Sequence, residues 1–241
     1  MGDAGKLYVA ADVIPVYRDM LPLATIISPN WFEVETLTEV KLTDLPSLRN
    51  ALKILHDTYH VPNVVVSSIP LSGWLIDALP EEIRPPPAEE HLLCIASSRT
   101  VEGQQPIVHA HCVPLLPGYF SGVGDLFSAL LLAHFHPSGS PPSSFTTTLT
   151  KETRPAVTPL AHAAARALAT THHILRLTHA YAAALPEAER APTDDEADAA
   201  EPLRKTRRMR GRELRLVQGQ AALRGEGVEV REMRVWEGFW S

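Results

Sequence analysis

Four residues, Gly122-Val123-Gly124-Asp125, open an apolar run of helix-forming residues that continues to residue 135. Two glycines allow the backbone to turn tightly and bring its N–H groups close to an anion, and a helix amino terminus adds a partial positive charge. Such a turn suits a phosphate. A carboxylate in the first helical turn lies where the dipole favours its charge, so Asp125 is placed to take a proton from an alcohol as the oxygen attacks phosphorus. The amides of Gly122, Val123 and Gly124 would then stabilise the transferring oxygens. The same four residues would also serve as a plain helix start, since Asp and Gly are common there for capping alone.

A second group is Ser28-Pro29-Asn30-Trp31-Phe32-Glu33, after a short apolar run at 24–28. Asn30 and Glu33, three apart at a helix start, share one face. They can either reach a hydrated Mg²⁺ and nucleotide phosphates or simply cap the helix through reciprocal hydrogen bonds. Ser67-Ser68 ends a β-branched run, where hydroxyls touch phosphates or form an ordinary turn. His109 and His111, two apart on one strand, point the same way, but the sequence supplies no third metal ligand, and His172-His173 has no partner one helical turn away. P-loop, Gly-x-Ser-x-Gly and Ser-x-x-Lys patterns are absent.

The elements that must position these residues follow from periodicity. Helices are expected at 12–21, 31–38, 45–59, 126–135 and 160–185, and strands at 24–28, 63–68, 92–97, 106–113 and 213–217. The run at 63–68 shows no polar alternation, as in a strand covered on both faces. Alternation of strands and helices over 1–120 predicts a parallel α/β sheet, and 92–97 with 106–113 an antiparallel pair. The helix at 126–135 is apolar enough to be buried all round. Residues 137–159, rich in Pro, Ser and Thr, read as a flexible insertion. Residues 187–201 carry seven acids and one Arg, and 204–212 six basic residues and no acid. The charged segment 187–212 therefore reads as a disordered loop. The aromatic end, with Trp236, Phe239 and Trp240, either docks or frays.

Composition removes whole classes. The chain has 241 residues, a formal net charge of −6 and 45% hydrophobic content. No run approaches a membrane span, and no signal peptide or lipidation pattern opens the sequence, which predicts a cytoplasmic or nuclear protein without a membrane partner. Two cysteines exclude a disulfide framework and a thiolate zinc site. The acidic balance argues against nucleic acid as a partner.

Taken in order, Met1-Gly2-Asp3 with Lys6-Leu7-Tyr8-Val9, Ile27 to Glu33, Val65-Val66-Ser67-Ser68 and Gly118-Tyr119-Phe120-Ser121-Gly122-Val123-Gly124-Asp125-Leu126-Phe127 resemble the pyridoxal kinases of the ribokinase-like superfamily. The resemblance covers most of residues 1–135 and returns at 213–217. It implies a three-layer α/β/α ribokinase-like fold and ATP-dependent phosphorylation of the 5′-hydroxyl of pyridoxal, pyridoxine and pyridoxamine. It further implies Mg²⁺ or another divalent cation, a monovalent cation such as K⁺ or Na⁺, and a homodimer. By this resemblance Asp125 is the base, Gly122, Val123 and Gly124 the anion hole, and Asn30, Glu33, Ser67, Ser68, Leu116, Pro117 and Gly118 the ATP contacts. Leu116 to Gly118 form the adenine-side wall. Asp3 and Glu33 lie near the divalent ion, Ser28 and Ser67 near the monovalent one, and Tyr8 on the substrate side. Val123 stands where the family often has Thr. The first strands of the sheet, roughly a third of a family member, have no counterpart before Met1. Two other readings stand beside this one: a nucleotide-binding fragment without turnover, and a kinase for another hydroxymethyl compound such as hydroxymethylpyrimidine.

Overall fold

The computed structural model describes residues 2–3, 6–87, 89–99, 101, 103–136, 157–190 and 194–241. In chain order they form β1 (Gly2–Asp3), β2 (Lys6–Leu7), α1 (Ile14–Met20), α2 (Trp31–Thr38), α3 (Leu45–Lys53), β3 (Asn63–Pro70), α4 (Gly73–Ala78), β4 (His91–Ser98), β5 (Ile107–Pro114), α5 (Val123–His134), α6 (Pro159–Ala183), α7 (Asp195–Ala200), α8 (Pro202–Arg210), α9 (Gln220–Leu223) and β6 (Arg234–Val235). Local chemistry explains the main helix starts. Asn30 and Glu33 form a reciprocal capping box on α2, Asp44 and Ser47 form another on α3, and Thr158 caps α6 with Pro159 following. The helix begun by α3 continues as a π-helical turn at Ile54–Thr58, which together span the stretch expected as one helix.

The sheet is mixed. Strands β3, β4, β5 and β6 pair antiparallel in that order. Residues 27–29 run parallel to β3: the Ile27 N–H donates to the Asn63 carbonyl at 3.0 Å, Val65 N–H to Ile27 at 2.9 Å, and Ser67 N–H to Pro29 at 2.9 Å. The parallel sheet expected over 1–120 is thus confined to this one pairing. After β3, α4 and the turn behind it bring the chain back at the same end of the sheet, so β4 returns antiparallel beside β3.

Alternate side chains of the strands feed two cores, and this gives three layers. On one face, Val64, Val66, Leu93, Ile95, Val108 and Ala110 pack with Val34 and Leu37 of α2, Leu48, Ala51 and Leu52 of α3, and Trp236 and Phe239. On the other, Val65, Cys94 and Ala96 pack with Phe127, Leu130 and Leu131 of α5 and the alanine-rich side of α6. Small residues on α6 let it approach both the sheet and α5 closely. The aromatic terminus docks: β6 adds to β5, Trp236 and Phe239 are buried, and the Trp240 indole N–H donates to Pro106 at 2.8 Å.

Three further expectations change, and one, the helix at 12–21, holds in outline. Among the described residues, α5 buries only Phe127, Leu130 and Leu131 and leaves Leu132 at 67% exposure, because α6 and the sheet cover one side of it. Glu213 makes a single parallel bridge to Ser121 in place of a strand at 213–217. The stretch at 12–21 is one α-helix, α1, between two 3₁₀ turns. The segment 187–212, expected as a disordered loop, contains α7 and α8, since its acidic and basic halves neutralise each other. Of the insertion expected at 137–159, residues 137–156 lie outside the described residues.

Candidate functional site

The turn before α5 is built as its glycines suggest. Gly122 is the N-cap in the left-handed region, with φ 82°, a conformation that disfavours any side chain. Among the described residues no side chain caps α5, and Cβ atoms added at Gly122 or Gly124 would meet nothing within 4 Å. The turn therefore leaves its first amides without a side-chain cap and with room beside its glycines, as an anion site requires. Asp125 follows in that first turn and is exposed.

One turn further along α5, the Ser128 hydroxyl lies 2.8 Å from that of Ser28. This bond joins the two motifs across about a hundred residues of chain, for Ser128 shares a helix face with Asp125 at i, i+3 spacing. Beside Ser28, the Pro29 carbonyl accepts from the Ser67 N–H at 2.9 Å and from the Ser67 hydroxyl at 3.4 Å. A bulge in β3 between Val66 and Ile69 places Ser67 and Ser68 out of the regular register and leaves both half-buried. Asn30 follows Pro29 directly, and its side chain accepts the Glu33 N–H at 2.9 Å while the Glu33 carboxylate accepts the Asn30 N–H at 3.0 Å. Both residues therefore cap α2 in the structure, through Asn30 Oδ1 and Glu33 Oε2, and any ligand role for them is additional to the cap. Asp125, Ser28, Ser67, Asn30 and Glu33 are brought to one region through these bonds.

Upstream, Pro117 and Gly118 line an open cleft of about 340 Å³, together with Tyr119 and Phe120, His179 and Ala182 of α6, and Arg208 and Arg212. The Arg212 guanidinium lies 5.7 Å from the Tyr119 ring centre, and the Phe120 and His179 rings meet edge to face. The Ser121 N–H donates to the Arg212 carbonyl at 3.0 Å, so the loop between cleft and glycine turn is anchored on residue 212. Leu116 is half-buried beside the lining, and Tyr8 is 65% exposed. The side chain of Asp3 lies outside the described residues. Ser128, His179 and Arg212 were not singled out by sequence. Only Ser128 carried a signal there, its three-residue spacing from Asp125.

His109 is fully buried opposite Ala96 on the α6 side of the sheet, and neither ring nitrogen has a partner among the described residues; burial pushes it down to about 4. No group of three or more metal-binding side chains occurs among the described residues. His56, unremarked in the sequence, is also buried. Its Nδ1–H donates to the Val61 carbonyl at 2.7 Å, and its Nε2 accepts from the Ser97 hydroxyl at 2.8 Å, a neutral tautomer held near 4 chiefly by burial.

Residues 2–82 match a family model described as phosphomethylpyrimidine kinase. Pyridoxal kinase of Arabidopsis thaliana is 36% identical over 133 residues, 55% of this chain and 37% of its own length. A Schizosaccharomyces pombe protein provisionally named a pyridoxal kinase is 32% identical over 224 residues, 92% of this chain and 58% of its own. Among solved structures, pyridoxal kinase from Leishmania donovani in complex with ADP aligns with a TM-score of 0.65 at 23% identity, covering 98% of this chain and 60% of that one. The Plasmodium falciparum enzyme with AMP-PNP and PL aligns with a TM-score of 0.61 at 18% identity. The chain spans between about two-fifths and three-fifths of the relatives it matches. In sequence and in its three-layer α/β/α fold, the chain is thus a relative of the pyridoxal kinases, over the part of them that it spans.

Proposed function

We propose that the chain carries the nucleotide- and phosphate-handling part of a vitamin B6 kinase, with Mg·ATP as phosphoryl donor and the 5′-hydroxyl of pyridoxal, pyridoxine or pyridoxamine as acceptor. The observation that carries this is the Ser28–Ser128 hydrogen bond, because it fixes the Ser-Pro-Asn turn beside the amides and carboxylate at the start of α5. Asp125 accepts the hydroxyl proton as the substrate oxygen bonds to the γ-phosphorus and ADP departs. The amides of Gly122, Val123 and Gly124 stabilise the charge on the transferring oxygens. Asn30, Glu33, Ser67 and Ser68 hold the phosphate end, Leu116, Pro117 and Gly118 the base end, and Tyr8 the acceptor side.

The donor chemistry fits the ions. Mg²⁺ is held by one or two carboxylates, several waters and the phosphates themselves, so Glu33 with Asp3 suffices. The Ser67 hydroxyl donates to the Pro29 carbonyl, and the hydroxyl of the preceding Ser28 meets that of Ser128; these are hard oxygens of the kind that suit K⁺ or Na⁺. When bound, the divalent ion neutralises charge on the phosphates. A homodimer and a cytoplasmic setting complete the proposal. No helix among the described residues is long and apolar enough to cross a membrane.

The family model over residues 2–82 favours hydroxymethylpyrimidine as a second acceptor. Phosphate transfer from Mg·ATP to each acceptor, measured for this chain and for a longer chain containing it, separates the readings. Whichever turns over should prefer the pyridoxal group and lose at least about a thousandfold in kcat on Asp125→Asn. An unchanged rate in that variant would overturn the role of Asp125.

A further inference from the structure

The charged segment that the proposed chemistry leaves unused is the wall of the cleft. From 194 onward it is a self-neutralising pair of helices. Asp194 caps α7 by accepting the Ala197 N–H at 3.0 Å, and Asp198 on α7 receives two arginines from α8. The Arg208 Nε donates to both Asp198 oxygens, at 3.1 and 3.2 Å, and its terminal nitrogen bonds the same carboxylate; Arg204 also donates to Asp198 Oδ1. Arg208 is only 5% exposed and Asp198 9%, in contrast with the Glu201–Arg207 pair, which is exposed at 56% and 37%. Ion pairs in solvent are weak and screened, whereas a bidentate pair shielded from water holds its geometry.

The two ends of this bonded chain touch the nucleotide side. Arg208, Gly211 and Arg212 line the same cleft as Pro117 and Gly118. Beyond α8, the Arg212 carbonyl holds the Ser121 N–H, next to Gly122. A shift of α8 therefore moves both the cleft wall and the entry to the glycine turn.

We infer that α7 and α8 form a cover over the base end of the nucleotide site, and that Asp198 is its positioning residue. The inference rests on the nucleotide reading above. Asp198 acts through Arg208 and Arg212 and does not touch the phosphates. Its effect falls on nucleotide affinity and leaves the transfer step alone. The second turn of α8 with residues 211–212 is rich in arginine, so tryptic cleavage between residues 204 and 212 reports whether the cover is closed.

The test measures that cleavage and Mg·ADP binding on the 241-residue chain, for wild type, Asp198→Asn, Asp198→Glu and the exposed control Glu201→Gln. Asp198→Asn should be cut faster and bind Mg·ADP about tenfold more weakly, the loss of a charge-assisted bidentate bond. Asp198→Glu should recover part of both, Glu201→Gln should behave as wild type, and Mg·ADP should slow wild-type cleavage. Equal cleavage of wild type and Asp198→Asn would overturn the cover. Faster cleavage of Asp198→Asn with unchanged Mg·ADP affinity and no protection by Mg·ADP would overturn its link to nucleotide, and the phosphate site of α5 would stand. Failure of the wild-type chain to bind Mg·ADP at all would overturn the nucleotide reading and this inference with it.

Discussion

Acid should unfold this protein through its core histidines. His56 and His109 each titrate near 4 in the folded chain, against 6.5 in an ordinary setting, because burial penalises the charged ring. Between those two values the unfolded chain binds protons that the folded chain refuses. The stability these neutral rings contribute is fully present above pH 6.5 and is lost as pH falls towards 4. Each ring costs about 3 kcal/mol across that window, and the two together about 6 to 7, which is comparable to the roughly 5–15 kcal/mol that holds a domain together. Burial also lowers His111, His134 and His172, which adds to the slope in the same direction. Urea unfolding followed by tryptophan fluorescence between about pH 7.5 and pH 4.5 measures this directly. The informative variant is His109→Leu. It removes an imidazole whose nitrogens have no partner among the described residues, so stability at neutral pH should hold or rise while the pH dependence drops by about half of the two-ring share. A wild-type midpoint that is flat over this range, or an unaltered slope in His109→Leu, would refute the reasoning.

Three further outcomes follow from local geometry. In Gly219→Ala the new Cβ would collide with Ile174 Cδ1 and lie 3.1 Å from the Arg215 carbonyl, so overpacking should cost about 1–3 kcal/mol in chemical unfolding. Gly124→Ala meets nothing within 4 Å among the described residues and should leave the unfolding midpoint nearly unchanged, yet its methyl crowds the anion approach and should weaken Mg·ADP binding in a fluorescence titration. Ser97→Ala strands His56 Nε2 in the core and should cost about 1–3 kcal/mol in the same unfolding assay.

Much of the architecture was legible because burial imposes it on the pattern. The unalternating run at 63–68 became β3, covered on both faces, and the capping box of α2 was readable from Asn30 and Glu33 alone. What misled was pattern without partners. The apolar stretch of α5 looked buried all round, but periodicity cannot say that only one side has a neighbour. The charge run at 187–212 looked disordered because net charge was counted in blocks, while Asp198 and Arg208 lie on different helices and pair across a turn. For the site, the glycine turn and the Ser-Pro-Asn stretch were visible as separate weak signals. Their meeting depends on Ser28 and Ser128, a long-range contact with no trace in local spacing. The buried His56 and the arginine wall of the cleft also depend on tertiary packing and were missed.

The central claim is that phosphate binds at the start of α5, beside Ser28 and Asn30. Amide chemical shifts of the isotope-labelled chain, followed as Mg·ADP is added, locate that contact without requiring turnover. The largest changes should fall on Gly122, Val123 and Gly124, should reach Ser28 and Ser67, and should persist in Asp125→Asn. Changes that leave these amides still while clustering elsewhere on the chain would contradict the account.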